Sequence, residues 1–242
     1  MKKLIVSLGL ALTLSFGATL DEGKKAFDKG DYNTALIIFE DLASKNNAKA
    51  KYNLGVMYDN GYGVKQDYKK AKEWYEKAAA QGNVEAQYNL GFMYDNGYGV
   101  KQDYKKAKEW YEKAAAKGYA AAQSKLGFMY DNGYGVKQDY KKAKEWYEKA
   151  AAKGYAAAQY NIGVYYAEGK VVKQDDKRAK ELWEKAAAQG YLDAQFNLGV
   201  MYDNGFGVKQ DKKVAKKWYG EACDGGDQGG CDNYKKLNQQ GY

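Results

Sequence analysis

The chain has 242 residues with no histidine, no proline and only two cysteines. Lacking histidine, it has neither the commonest general base near neutral pH nor the usual imidazole ligands of zinc. Its Gly-x-Gly loops have no preceding strand and no Gly-Lys-Ser/Thr ending, so they do not read as phosphate cradles, and no Ser-x-x-Lys motif occurs. Asp59, Asp95, Asp131 and Asp203 recur far apart, unlike the closely spaced carboxylates of a calcium loop. No catalytic residue, metal or cofactor is therefore expected. No alternating apolar run is long enough for a sheet, and apolar residues fall at helical spacing; the class expected is all-α.

No run reaches the ~20 apolar residues of a membrane-spanning helix. The longest, Leu4 to Phe16, has thirteen positions, preceded by Lys2 and Lys3 and followed by Gly17, Ala18 and Thr19. A positive start, a short apolar middle and a small-residue zone make a secretory signal. Cleavage near Gly17 or Ala18 is expected, which places the protein in the periplasm or outside the cell. Loss of Lys2 and Lys3 takes the formal charge from +8 to +6. The lysines alternate with acids, as in Lys69, Glu73 and Lys77, a spacing that pairs charges on a helix surface. That argues for a solvated face and against a nucleic-acid partner, with attraction to an acidic surface such as anionic lipid or glycan as the alternative.

What the chain does have is repetition. Gly55, Gly91, Gly127, Gly163 and Gly199 stand 36 residues apart, and residues 91–123 and 127–159 are identical. Stacked units of this kind bury neighbour interfaces instead of one central core. Within a unit, Ala50, Leu54, Met57 and Tyr58 share one face of a first helix, A. Gly55 within it implies a close approach, since glycine there costs about 1 kcal/mol against alanine. Asn60-Gly61-Tyr62-Gly63 ends helix A, and its helix-periodic flanks argue against a β-hairpin. Helix B opens at the N-cap Asp67, carries the stripe Ala71, Trp74, Tyr75, Ala78 and Ala79, and ends at Gly82.

This pattern resembles the Sel-one-like repeat (SLR) family, relatives of tetratricopeptide repeats. The family's spacing is met by Ala86, Leu90-Gly91, Met93-Tyr94, Gly97-Tyr98-Gly99-Val100, Asp103, Lys106-Ala107, Trp110-Tyr111, Lys113-Ala114-Ala115 and Gly118. Lysine (Lys65, Lys101) stands where members often place proline. The resemblance implies an α/α right-handed superhelical solenoid of helix-turn-helix repeats. It divides the chain into a signal (1–18), a tetratricopeptide-like capping pair (19–49), five units (50–85, 86–121, 122–157, 158–193, 194–229) and a capping helix (230–242). The fourth unit departs from the pattern: Val171 replaces the second loop glycine and Leu182-Trp183 replaces Trp-Tyr. A β-branched residue resists positive φ, so Val171 is expected to avoid it and the fourth loop to take a different path, whereas Gly63, Gly99, Gly135 and Gly207 are expected at positive φ.

Cys223 and Cys231 fall at the end of helix B and the start of the next helix A, where two antiparallel helix ends come within bridging range. In an exported protein they are expected to form a disulfide. Their spacing is similar to that of the cysteine-rich SLR branch of Helicobacter-type bacteria, which implies β-lactamase or penicillin-binding activity as an alternative function. The first expectation is binding of protein or peptide segments, such as envelope or host proteins, by a monomer with no transmembrane anchor. Helix A lines the concave side in this family. The ladder expected on that side is Asn53, Val56, Asn60; Asn89, Phe92, Asn96; Lys125, Phe128, Asn132; Asn161, Val164; and Asn197, Val200, Asn204. The competing reading has the valines packed between units and the amides solvated.

Overall fold

A computed structural model describes residues 17–242; the expected signal lies almost wholly outside them. Among the described residues there are thirteen helices and no strand. They fall into two compact units, Met1–Lys117 and Gly118–Tyr242. The first holds α1 (Leu20–Asp28), α2 (Tyr32–Ser44), α3 (Ala48–Asn60), α4 (Tyr68–Ala80), α5 (Val84–Asn96) and α6 (Tyr104–Ala116). The second holds α7 (Ala120–Asn132), α8 (Tyr140–Ala151), α9 (Ala156–Glu168), α10 (Asp176–Ala187), α11 (Leu192–Asn204), α12 (Lys212–Asp224) and α13 (Gln228–Gln239). No helix among the described residues is long and apolar enough to cross a membrane.

Capping follows the expected chemistry. Asp67 accepts hydrogen bonds from the Lys69 and Lys70 amides at 3.0 and 3.1 Å, satisfying donors that the first turn leaves open. Gly61 closes α3 in the left-handed region with φ 75°. Thr19 and Glu22 form a capping box that starts α1.

Each core cluster joins a helix B to the helix A after it. Phe39 of α2 packs with Leu54 and Met57 of α3, and Tyr75 of α4 with Leu90 and Met93 of α5. The glycine inside helix A has a specific cause. A Cβ on Gly55 would lie 2.5 Å from the Tyr75 ring, and one on Gly91 2.6 Å from the Tyr111 ring, so an aromatic ring occupies the place of the side chain.

Surface charges pair differently from the expected Lys69, Glu73 and Lys77 row. On helix B the i,i+4 ion pairs include Lys72–Glu76 at 2.7 Å and its copies Lys108–Glu112 and Lys144–Glu148. Lys77 lies over the Trp74 ring instead, 4.2 Å from its centroid; a cation gains more on that half-buried ring than in an exposed pair worth ~0.3–0.5 kcal/mol.

The expectation for the fourth loop is corrected. Gly63, Gly99, Gly135 and Gly207 have φ between 64° and 68°, but Val171 joins them at φ 52°. The backbone bonds of the loop are kept: Lys170 N–H donates to the Tyr165 carbonyl and Asp175 N–H to that of Tyr166, both at 2.9 Å. In the first repeat Tyr62 and Asp67 make the same bonds to Met57 and Tyr58. Lys170 adds an ion pair to Asp131 at 2.8 Å and lies 3.8 Å from the Tyr140 centroid. Anchored at these points, the loop forces the valine into a region that costs about 1–3 kcal/mol.

Cys223 and Cys231 are bonded, with Cα atoms 4.5 Å apart. The same two positions in the preceding repeat hold Ala187 and Gln195, whose Nε2 donates to the Ala187 carbonyl at 3.4 Å. Gln87 makes this bond to Ala79 at 3.3 Å. A side-chain hydrogen bond across the helix B to helix A turn is thus replaced by a covalent one in the last repeat.

Candidate functional site

The ladder residues of helix A separate into three groups. Asn60, Asn96, Asn132 and Asn204 are exposed at the last helical position. Each turns its amide back onto its own helix, donating to the carbonyl of Val56, Phe92, Phe128 or Val200 at 2.8–2.9 Å. One amide hydrogen of each of these asparagines is therefore already spent. Asn161 does the same to Ala157 at 2.8 Å.

The second group faces the aromatic residues below. Asn89 is hydrogen-bonded to the Tyr75 hydroxyl and Asn197 to that of Tyr160. Asn53 Nδ2 is buried without a partner. Val56, Val164 and Val200 are half-buried and pack against the core clusters beside them.

The third group stays open. Phe92 is 37% exposed and Phe128 43%. Each has a loop tyrosine beside it, Tyr98 at 5.8 Å between ring centroids and Tyr134 at 5.7 Å. These tyrosines, 41% and 39% exposed, were absent from the expected ladder; an aromatic held between two loop glycines in every regular unit was the available signal. Lys125 lies over Phe128, its Nζ 5.8 Å from the ring centroid.

Beneath this face runs a chain of buried hydroxyls. Tyr75 donates to Asp59 at 3.0 Å and Tyr111 to Asp95 at 3.3 Å. Burial, then the nearby Asp59 carboxylate, drives the Tyr75 hydroxyl far above its usual range, so the phenol stays neutral. Burial likewise raises the Asp59 carboxyl, against the lowering effect of the Tyr75 hydrogen bond. In the third repeat Asp131 is taken by Tyr165 at 2.9 Å and by Lys170, and Tyr147 Oη is left buried without a partner. No group of three or more Cys, Asp or Glu side chains suited to a metal occurs among the described residues.

The Sel1 repeat family profile matches residues 48–83, 84–119, 120–155, 156–191 and 192–227, in step with α3 to α12. A Sel1 repeat protein of Oxalobacter formigenes is 34% identical, with TM-score 0.81 over 92% of this chain and 98% of that one. The protein c5321, a protective antigen of uropathogenic Escherichia coli, is 31% identical with TM-score 0.77 over 91% of this chain and 48% of that one. Cysteine rich protein B of Helicobacter pylori is 28% identical over 55% of this chain and 96% of that chain, with TM-score 0.44, a superposition too loose to align one site on another. No curated protein matches the chain. With five tandem matches covering most of its length, this chain belongs to the Sel1 repeat family, whose scaffolds generally serve protein–protein interaction.

Proposed function

We propose that the protein is an exported repeat scaffold that binds protein or peptide segments through the exposed face of its A helices. The observation that carries this is the aromatic pair Phe92–Tyr98, presented again as Phe128–Tyr134. Half-open rings beside packed valines are costly to leave in water, and such patches mark interaction surfaces. Spent asparagine hydrogens shift the expected recognition from amide donors toward apolar side chains of the partner. Export is supported by the sequence of the first eighteen residues and by α1, whose cap Thr19 is the last residue of the small-residue zone. Partners in the envelope or on a host surface fit that location.

The test is to change Phe92, Tyr98, Phe128 and Tyr134 together to Ala, then to measure capture of envelope or host proteins and affinity for any partner recovered. Loss of about thirtyfold or more, with the helix content intact, is expected for central aromatic contacts. Unchanged binding rejects the surface. The second reading, β-lactam hydrolysis or penicillin binding, is favoured only by the position of the Cys223–Cys231 bridge; turnover of nitrocefin by the purified protein decides it.

A further inference from the structure

Three departures of the fourth repeat face one hollow. Ala167 stands where the other repeats have Asp59, Asp95, Asp131 and Asp203; Asp176 where the first three have Tyr68, Tyr104 and Tyr140; Trp183 where the others have Tyr75, Tyr111, Tyr147 and Tyr219. The first and third compensate each other. Indole has no hydroxyl to donate to a carboxylate, and its Nε1 donates to the Tyr160 carbonyl at 3.1 Å instead.

The second departure opens the surface. In the early part of the chain the first residue of helix B is a tyrosine stacked on the next loop's tyrosine: Tyr32 on Tyr62 at 5.0 Å, Tyr68 on Tyr98 at 5.3 Å. Asp176 cannot cover Phe206 in this way, and Phe206 is 55% exposed, the highest value among the exposed large hydrophobic residues of the described chain. Gly207, at φ 64°, lies so close that a Cβ there would be 2.5 Å from that of Asp176, which holds the loop in place over the gap. What remains is a cavity of ≈ 270 Å³ whose lining includes Trp183, Phe206, Val200, Asp176, Asn197 and Gln174.

A single charged side chain sets the chemistry of this cavity. Here Asp176 is the one charged residue of the lining. It accepts a single long bond, from Gln174 Nε2 at 3.3 Å, and a carboxylate has further lone pairs to offer. Aromatic walls with a carboxylate suit an alkyl cation. A planar guanidinium suits them best, since it stacks on rings and pairs in bidentate fashion with carboxylate. The volume falls just short of drug-sized pockets, which start at ~300 Å³, and fits one side-chain-sized group.

We infer that this cavity is a binding site for an alkylguanidinium group, supplied either by a free small molecule or by an arginine side chain of a peptide segment. The site stands on the fourth and fifth repeats alone and does not depend on the Phe92 and Phe128 surfaces. Titration calorimetry of the full chain with agmatine, with a capped Gly-Arg-Gly peptide and with the same peptide carrying citrulline tests it. Citrulline keeps the shape and removes the charge, and should bind about tenfold or more weakly than arginine. Saturation by agmatine identifies the free cation as sufficient, and binding of the arginine peptide alone identifies a segment; both support the site. Asp176→Asn should weaken the binding about tenfold, and Asp176→Tyr, which restores the residue of the regular repeats, should abolish it without lowering the melting temperature. Equal affinity for arginine and citrulline, undiminished binding by Asp176→Tyr, or no heat from either cation overturns the inference.

Discussion

In the first repeat Tyr75 reaches Asp59 through its hydroxyl, and Tyr68 lies flat under Tyr98; in the fourth the corresponding places hold Trp183, Ala167 and Asp176, and the next loop's Phe206 is left uncovered. Both repeats are helix pairs whose A helix ends on a left-handed glycine and whose B helix opens on a capping aspartate. The comparison teaches that a repeat array separates two duties. Alanine, glycine and leucine positions hold neighbouring helices together, while the loop and the first turn of helix B can change identity and open a site without disturbing the stack.

Breaking the regular loop should have the largest effect. Gly99→Val puts a branched side chain at φ 64°, where a Cβ would already lie 2.7 Å from that of Tyr68 and 2.8 Å from its carbonyl carbon. A loss of about 3 kcal/mol or more is expected in chemical denaturation, from strain and overpacking together. The last repeat, which replaces a glutamine hydrogen bond with a disulfide, should come next. Cys223→Ser should cost about 2–3 kcal/mol in the chain-entropy account, read as faster hydrogen exchange in α12 and α13 with α3 to α6 unchanged.

Val171→Gly tests the same loop in the other direction. It relieves positive φ at a valine that is 42% exposed and so buries little; a gain of about 1 kcal/mol is expected. A loss would show that the valine packs more than it strains. The hydroxyls give a finer contrast. Tyr75→Phe removes a bond to Asp59 and should cost about 1 kcal/mol, whereas Tyr147→Phe removes an oxygen with no partner and should be neutral or stabilising.

The smallest effect is one of pH. Burial holds the Asp59 carboxyl above its ordinary 3.8, so the folded chain keeps this proton longer than the unfolded one. Its contribution is then complete below that ordinary value and is lost as the pH rises through the raised one. Asp59→Asn should therefore gain stability relative to the parent as the pH climbs from acid toward neutral, measured as melting temperature against pH; parallel curves would rule out the burial.

The sequence by itself determined the period, the all-α class, the N-cap aspartates and the C-terminal glycines, because each rests on local chemistry repeated five times. The pairing of Cys223 with Cys231 was legible for the same reason: position within a repeat fixes which helix ends meet. Tertiary structure alone decided the rest. Val171 was read from its intrinsic preference, and loop bonds with the Lys170 anchor overrode it. The asparagines of helix A looked free because spacing shows which face a residue occupies but not that its amide turns back onto the helix or down onto a tyrosine. The hollow at Asp176 was hidden for a like reason. Its walls come from separate positions in the chain, Ala167, Trp183 and Phe206, and only their packing reveals that the smaller Ala167 and Asp176 leave one space which Trp183 and Phe206 line.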